Sequence, residues 1–106
     1  MIVFPIFNSK ILPSKTTEAW VPLWFLIFFR HPKEWYLDEK WPRRKQVLKH
    51  ELQHCYQWRQ YGIIGFPFVY FWYLFTVGYD KHPFEVEANL IAATVPLTEE
   101  ELKIFF

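Results

Sequence analysis

The chain has a single cysteine among its 106 residues. Cys55 has no partner, so no internal disulfide can form and nothing calls for an oxidising compartment. It directly follows His54, but neighbouring helix residues point about 100° apart, so Cys55 is expected to be a small buried side chain. Charge of either sign is nearly balanced, with a formal net charge of +1. That balance argues against a nucleic-acid partner, which needs a strongly basic surface. The mild basic run Lys40, Arg43, Arg44, Lys45 and Lys49 reads as a solvated helix face. The opening MIVFPIFNSK lacks the charged lead and small-residue cleavage site of a secretory signal peptide. A cytoplasmic or membrane-peripheral location is therefore expected.

Long aliphatic runs are also missing. Residues 19–29 are too short to cross a bilayer as a helix. Residues 62–79 carry no formal charge and approach the roughly 20 residues that a span needs. Gly62, Gly65, Pro67 and Gly78 interrupt them, and aromatics outweigh Leu and Ile. A buried or interfacial helix is expected there, in preference to a span.

Aromatic residues, by contrast, are abundant: six Trp, six Tyr and twelve Phe, or 23% of the chain. One domain, residues 1–106, is all that this length supports, and its core cannot use so many rings. Some of them line a groove, a surface or a membrane interface.

The N-terminal part is β-branched and aromatic, punctuated by Pro5, Asn8-Ser9, Pro13 and Pro22. Strands are expected over residues 2–7 and 23–29 with turns or loop between them, and a short edge strand over 34–37. Trp41-Pro42 opens a helix that runs to Tyr61 and stops at Gly62. A second, apolar helix follows Pro67 and ends near Gly78. A third begins after His82-Pro83 and includes residues 85–95. Thr98 with Glu101 has the spacing of a capping box for a last short helix. Strands first and helices after give an α+β domain.

Residues 50–54 read His-Glu-Leu-Gln-His, an HExxH motif. On a helix, i and i+4 lie about 40° apart, so His50 and His54 reach one metal ion, expected to be zinc. Glu51 points about 100° from His50, beside the ion, where it can take a proton from the water that zinc activates. A catalytic zinc usually takes three protein ligands. Glu85, Glu87, His82 and His31 are the candidates for the third. Gln57 falls on the His50 face and can brace a ligand, a substrate or the next helix. Tyr61 lies farther along the same stripe, beyond the reach of the chemistry. Tyr79 can donate a phenolic hydrogen bond to an oxyanion, or simply pack after Gly78. His31 and His82 precede proline and suit loop or cap positions.

The combination resembles the gluzincin branch of zinc peptidases. These carry HExxH on one helix and a glutamate ligand on a following helix, often within a Glu-x-Glu-Ala-Asp pattern. This chain has Glu85-Val86-Glu87-Ala88-Asn89. It is especially similar to small gluzincin-type proteins with HExxHxxQ, a glycine ending the helix, an aromatic second helix and a GY…PFExEA segment. The matching stretch covers residues 50–93. The resemblance implies a zincin-like fold, with His50, His54 and Glu85 as zinc ligands and Glu51 as general base. Asn89 stands where aspartate is common, so an outer hydrogen-bonding role there would be uncharged. Helical geometry also selects Glu85. Ala88, Asn89 and Ala92 share its face within about 60°, and that small-residue face allows close approach to the His50 helix. Glu87 points about 200° away and reads as a helix-start carboxylate.

Three functions compete. The first is a zinc metallopeptidase whose peptide or protein substrate lies along an edge strand of the N-terminal half. The second is a zinc-stabilised structural or interaction module of a larger assembly. The third is a membrane-associated peptidase with residues 62–79 in or on the bilayer.

Overall fold

The computed structural model describes residues 3–13 and 17–105. It is α+β, a three-stranded sheet followed by four helices. The strands are β1 (Phe4–Ile6), β2 (Ala19–Leu23) and β3 (Leu26–Phe29), in the order β1-β3-β2. β3 is central, parallel to β1 and antiparallel to β2. Its alternation buries Ile27 and Phe29 on the inner face. β1 lies inside the expected strand of residues 2–7, of which Ile2 falls outside the described residues.

Residues 23–29 form a hairpin corner and not the single strand expected. β2 ends at Leu23, the chain turns at Trp24-Phe25, and β3 returns. That turn holds no Gly, Pro, Asn or Asp, so nothing in the sequence marks it. Pro22 reads as punctuation but sits within β2. β2 is an edge strand with irregular register between Trp20 and Leu23, the setting in which a missing N–H costs little.

The edge strand expected at 34–37 is instead the one-turn helix α1 (Lys33–Leu37). Pro32 precedes it in extended conformation and Glu34 favours its positive end. Its anchor is Tyr36, fully buried against Phe29 and accepting the His31 N–H at its phenol oxygen.

α2 (Arg43–Val77) is two helical arms divided at Gly62, whose φ of 86° and ψ of 169° lie in a region open essentially to glycine alone. The first arm ends where the sequence implied. The second begins directly after Gly62, one turn earlier than expected, and takes Pro67 inside its early part. There proline removes a single ladder hydrogen bond. The first arm presents three faces. Leu48, Leu52 and Cys55 face the sheet, in a core with Val3, Ile27, Phe29, Tyr36 and Phe105. Burial pushes the Cys55 thiol up to about 12, with Glu51 adding to the effect, so it is an inert core residue. His50, His54 and Gln57 face α3 (Pro83–Thr94).

The third face corrects the reading of the basic run as solvated in part: Lys40 and Arg43 are exposed as expected, but not every member is. Lys49 is buried, its Nζ 2.7 and 2.8 Å from the two oxygens of Glu101 on α4 (Glu99–Phe105). Arg44 lies over the Trp35 and Trp41 rings. The capping box forms as expected: Thr98 N–H donates to Glu101 Oε1, and Glu101 N–H to Thr98 Oγ1, each at 3.1 Å. A smaller cluster of Trp58, Phe66 and Phe84 ties the two arms of α2 to α3. Among the described residues no helix is long and apolar enough to cross a membrane.

Two stability outcomes follow from these constraints. Gly62→Ala is expected to cost about 1–3 kcal/mol in urea unfolding, because alanine must adopt a backbone conformation that it rarely takes. Lys49→Met, which strands a buried carboxylate, is expected to cost about 3–5 kcal/mol near neutral pH. Burial raises the Glu101 pKa, but Lys49 and Thr98 draw it to a net value below the usual carboxylate range. The pair therefore contributes fully above the unfolded carboxylate pKa, and its contribution fades as pH falls through the lowered native value. The Lys49→Met penalty should shrink over the same acid range.

Candidate metal centre

His50, His54 and Glu85 meet where the first arm of α2 packs on the start of α3. Each offers one ligand atom, and these atoms lie within 4.8 Å of one another. The Nε2 atoms of His50 and His54 are 3.1 Å apart. Glu85 Oε2 is 3.2 Å from His50 Nε2, and Glu85 Oε1 is 3.1 Å from His54 Nε2. Two imidazole nitrogens and a carboxylate on one point form a donor set that suits a divalent metal ion.

Local structure explains why Glu85 is there. His82 caps α3: its Nδ1 accepts the Phe84 N–H at 3.1 Å, so Nε2 carries the proton and donates to the Tyr70 carbonyl at 2.8 Å. Pro83 opens the helix, and Glu85 follows in its first turn with Phe84 and Ala88 buried beside it. The fully buried Ala88 permits the close approach of α2 that the small-residue face implied. His82 is thus a cap and not a ligand, and His31 stacks on Trp35 away from the cluster.

Glu87 is not among the three convergent groups. It accepts hydrogen bonds from Gln53 Nε2 at 2.7 Å and Gln57 Nε2 at 3.2 Å. Gln57 also donates to the Phe84 carbonyl at 3.0 Å. Both bonds hold its Oε1 toward His54, whose Nδ1–H donates to it at 2.8 Å. The bond fixes the His54 tautomer and turns Nε2 to the centre. Asn89 hydrogen-bonds none of these groups. It is exposed on the cleft wall one turn beyond Glu85, and the bracing of His54 falls to Gln57.

Tyr79 reaches the site, its hydroxyl donating to Glu85 Oε2 at 3.2 Å. Nothing in the sequence singles out Tyr70, yet its hydroxyl donates to Glu85 Oε1 at 2.9 Å. Only the direction of the second α2 arm brings it there, and one Tyr in an aromatic run carries no mark of its own. Burial, reinforced by Glu85, pushes both phenols above their ordinary range, so both remain protonated donors at neutral pH. Tyr61 stacks near Phe84 and takes no part in the cluster.

The site is strongly polarised. Burial raises the Glu85 carboxyl pKa, but its hydrogen bonds to His50 and His54 outweigh that and hold it well below the carboxylate range. Burial lowers the His54 pKa, yet bonding to Glu85 and the field of Glu51 lift it to about 9. Metal binding must displace that proton. Glu51 is buried, with Oε1 3.9 Å from His50 Nε2. Burial raises its pKa despite the two imidazoles. Among the described residues, Oε2 of Glu51 is a buried side-chain oxygen with no hydrogen-bond partner. The cluster opens into a cleft of about 1000 Å³, which Glu18 and the β2 residues Ala19 to Pro22 wall and which Trp58, Phe66 and Tyr79 also line.

No known protein family matches the chain, and no curated protein or solved structure does so either.

Substitution should separate the ligands from the brace. His50→Ala, His54→Ala and Glu85→Ala are each expected to abolish stoichiometric metal uptake, measured by elemental analysis and zinc titration. Gln57→Leu should weaken affinity by roughly 10–100-fold without abolishing it. Glu87→Ala, which leaves Gln57 its bond to Phe84, should stay near wild type. Full occupancy in both histidine variants would dismiss the site.

Proposed function

We propose that the chain is a gluzincin-like zinc metallopeptidase that hydrolyses peptide bonds in the cleft beside β2. The observation that carries this reading is Glu51: a buried carboxylate oxygen, unpartnered, beside two imidazoles and a third carboxylate. A purely structural ion site has no use for such a group. The ligands support zinc in particular, since two imidazoles with one carboxylate are a common catalytic zinc set.

Held by His50, His54 and Glu85, zinc would act as a Lewis acid toward water and toward the scissile carbonyl. Glu51 takes the proton of the attacking water, and its raised pKa brings it toward the working range of a general base. The water oxygen bonds to the carbonyl carbon, the C–N bond breaks, and Glu51 passes the proton to the leaving nitrogen. Tyr79, on the cleft wall, and Tyr70 are neutral donors suited to the oxyanion that develops.

A substrate strand finds its support on β2, the sheet edge that walls the cleft. One outward carbonyl there, that of Val21, already accepts the Trp58 indole N–H at 3.2 Å. The alternation of the strand turns the Ala19 main chain to the same side, next to the site.

Glu51→Gln keeps the shape of the site but cannot accept a proton. It is expected to retain one zinc per chain and an unchanged melting temperature, while kcat on a cleaved peptide falls by roughly 10²–10⁴-fold. Cleavage at the wild-type rate by this variant would end the mechanism proposed.

A further inference from the structure

From Gln60 to Tyr79 the chain carries no formal charge. Its outer side, on the second arm of α2, is a continuous apolar stripe. Ile64, Phe68, Phe71 and Phe75 recur at spacings of four, three and four residues, with Ile63 and Trp72 alongside. Ile64 is 85% exposed, Phe75 83% and Phe68 75%. At full side-chain areas of about 150–250 Å² for each ring, these six residues present roughly 700 Å², more than the largest apolar patch of an ordinary soluble monomer. Pro67 and five of the six, all but Ile63, line a shallow groove along the helix.

We propose that residues 63–77 lie flat in the interfacial layer of a lipid bilayer, with the Ile64–Phe68–Phe75 side turned into the acyl boundary. What selects lipid over a second protein surface is the absence of charge. The spacing suits a helix partner, but helix pairs in water flank such a seam with charged residues and protein interfaces carry a polar rim. Here the flanking positions are Gly65, Pro67, Trp72 and Leu74, and no charge occurs anywhere on the arm. The arm is too short and too broken to span, so once docked it lies in the interface plane, where the rings of Trp and Tyr are favoured. Pro67 and Phe71 line both this groove and the metal-site cleft, so the docked arm sets the apolar end of the cleft beside the bilayer. The docking stands independently of the peptidase reading.

With no basic residues on the arm, binding is hydrophobic in origin. The full chain should co-sediment with vesicles of pure phosphatidylcholine as well as with vesicles that also contain phosphatidylglycerol, and high salt should not release it. Phe68→Glu and Phe75→Glu should each weaken partitioning by roughly tenfold or more. Both positions point outward, so melting temperature and zinc content should not change. His50→Ala should still bind vesicles, which separates failure of the metal reading from failure of this one. Wild-type protein that stays in the supernatant, or glutamate variants that bind as wild type does, would overturn the proposal. So would a concentration-dependent dimer that Phe68→Glu dissolves while no vesicle is bound, because the face would then belong to a second copy.

Discussion

A carboxylate at the α2–α3 junction is ionised despite its burial, and much of the structure exists to hold it so. Removing Glu85 from water costs several kcal/mol unless the charge is matched. Two imidazoles and two phenol hydroxyls match it, each within 3.2 Å. These four groups come from three stretches of chain: the first arm of α2, its second arm, and the turn before α3. Holding them together requires the break at Gly62, the His82 cap that fixes the start of α3, and the Trp58–Phe66–Phe84 cluster that closes the angle between the arms. The same convergence makes a site for a divalent ion, because the carboxylate is itself a ligand and the two imidazoles beside it become metal donors once their protons are displaced.

Glu51 stands apart from that balance. It is one residue from His50 and buried beside the cluster without joining its hydrogen bonds, and burial, with the Glu85 charge adding to it, raises its pKa against the pull of the two imidazoles. A buried oxygen without a hydrogen bond is a local cost with no return in stability. On the proposed reading that oxygen belongs to the general base, and Glu51 lines the cleft beside β2. On the opposite side of the helix, Lys49 and Glu101 show how the fold treats a buried charge whose role is structural. Bidentate pairing, a capping box and the Tyr56 hydroxyl at 3.2 Å satisfy it on every side.

The aromatic excess divides along the same architecture. Phe29, Tyr36 and Phe105 fill the core under the sheet, while Trp58, Phe66 and Phe84 form the joint of the arms. Many of the rings left over lie on the outer side of the second arm, where Phe71 and Phe75 stack on each other and Phe71 meets Tyr70 edge-on. The composition therefore reflects three separate roles.

Local, short-range rules made part of this legible from residues alone. The i, i+4 spacing of His50 and His54, the placing of Glu51, the stop at Gly62, the cap at His82 and the Thr98–Glu101 box all depend on helix geometry within a few residues, and each stands where its spacing implied. Of the two carboxylates only Glu85 joins the histidines, as helical angle implied, but Glu87 does not point away as a free helix-start carboxylate: it too reaches α2, accepting from Gln53 and Gln57. What the sequence could not determine depends on distant packing. The short segment at Lys33–Leu37 became a helix because Tyr36 had a core to fill, and Pro22 sits in a strand because β2 is an edge. Lys49 is buried because Glu101, 52 residues away, folds back over it. Asn89 shares the face of Glu85 but stays exposed on the cleft wall and orients neither histidine, while Tyr70 reaches Glu85 only through the bend at Gly62. Spacing along one helix is a local property of the chain; which distant side chain completes a buried charge is decided by how the elements pack.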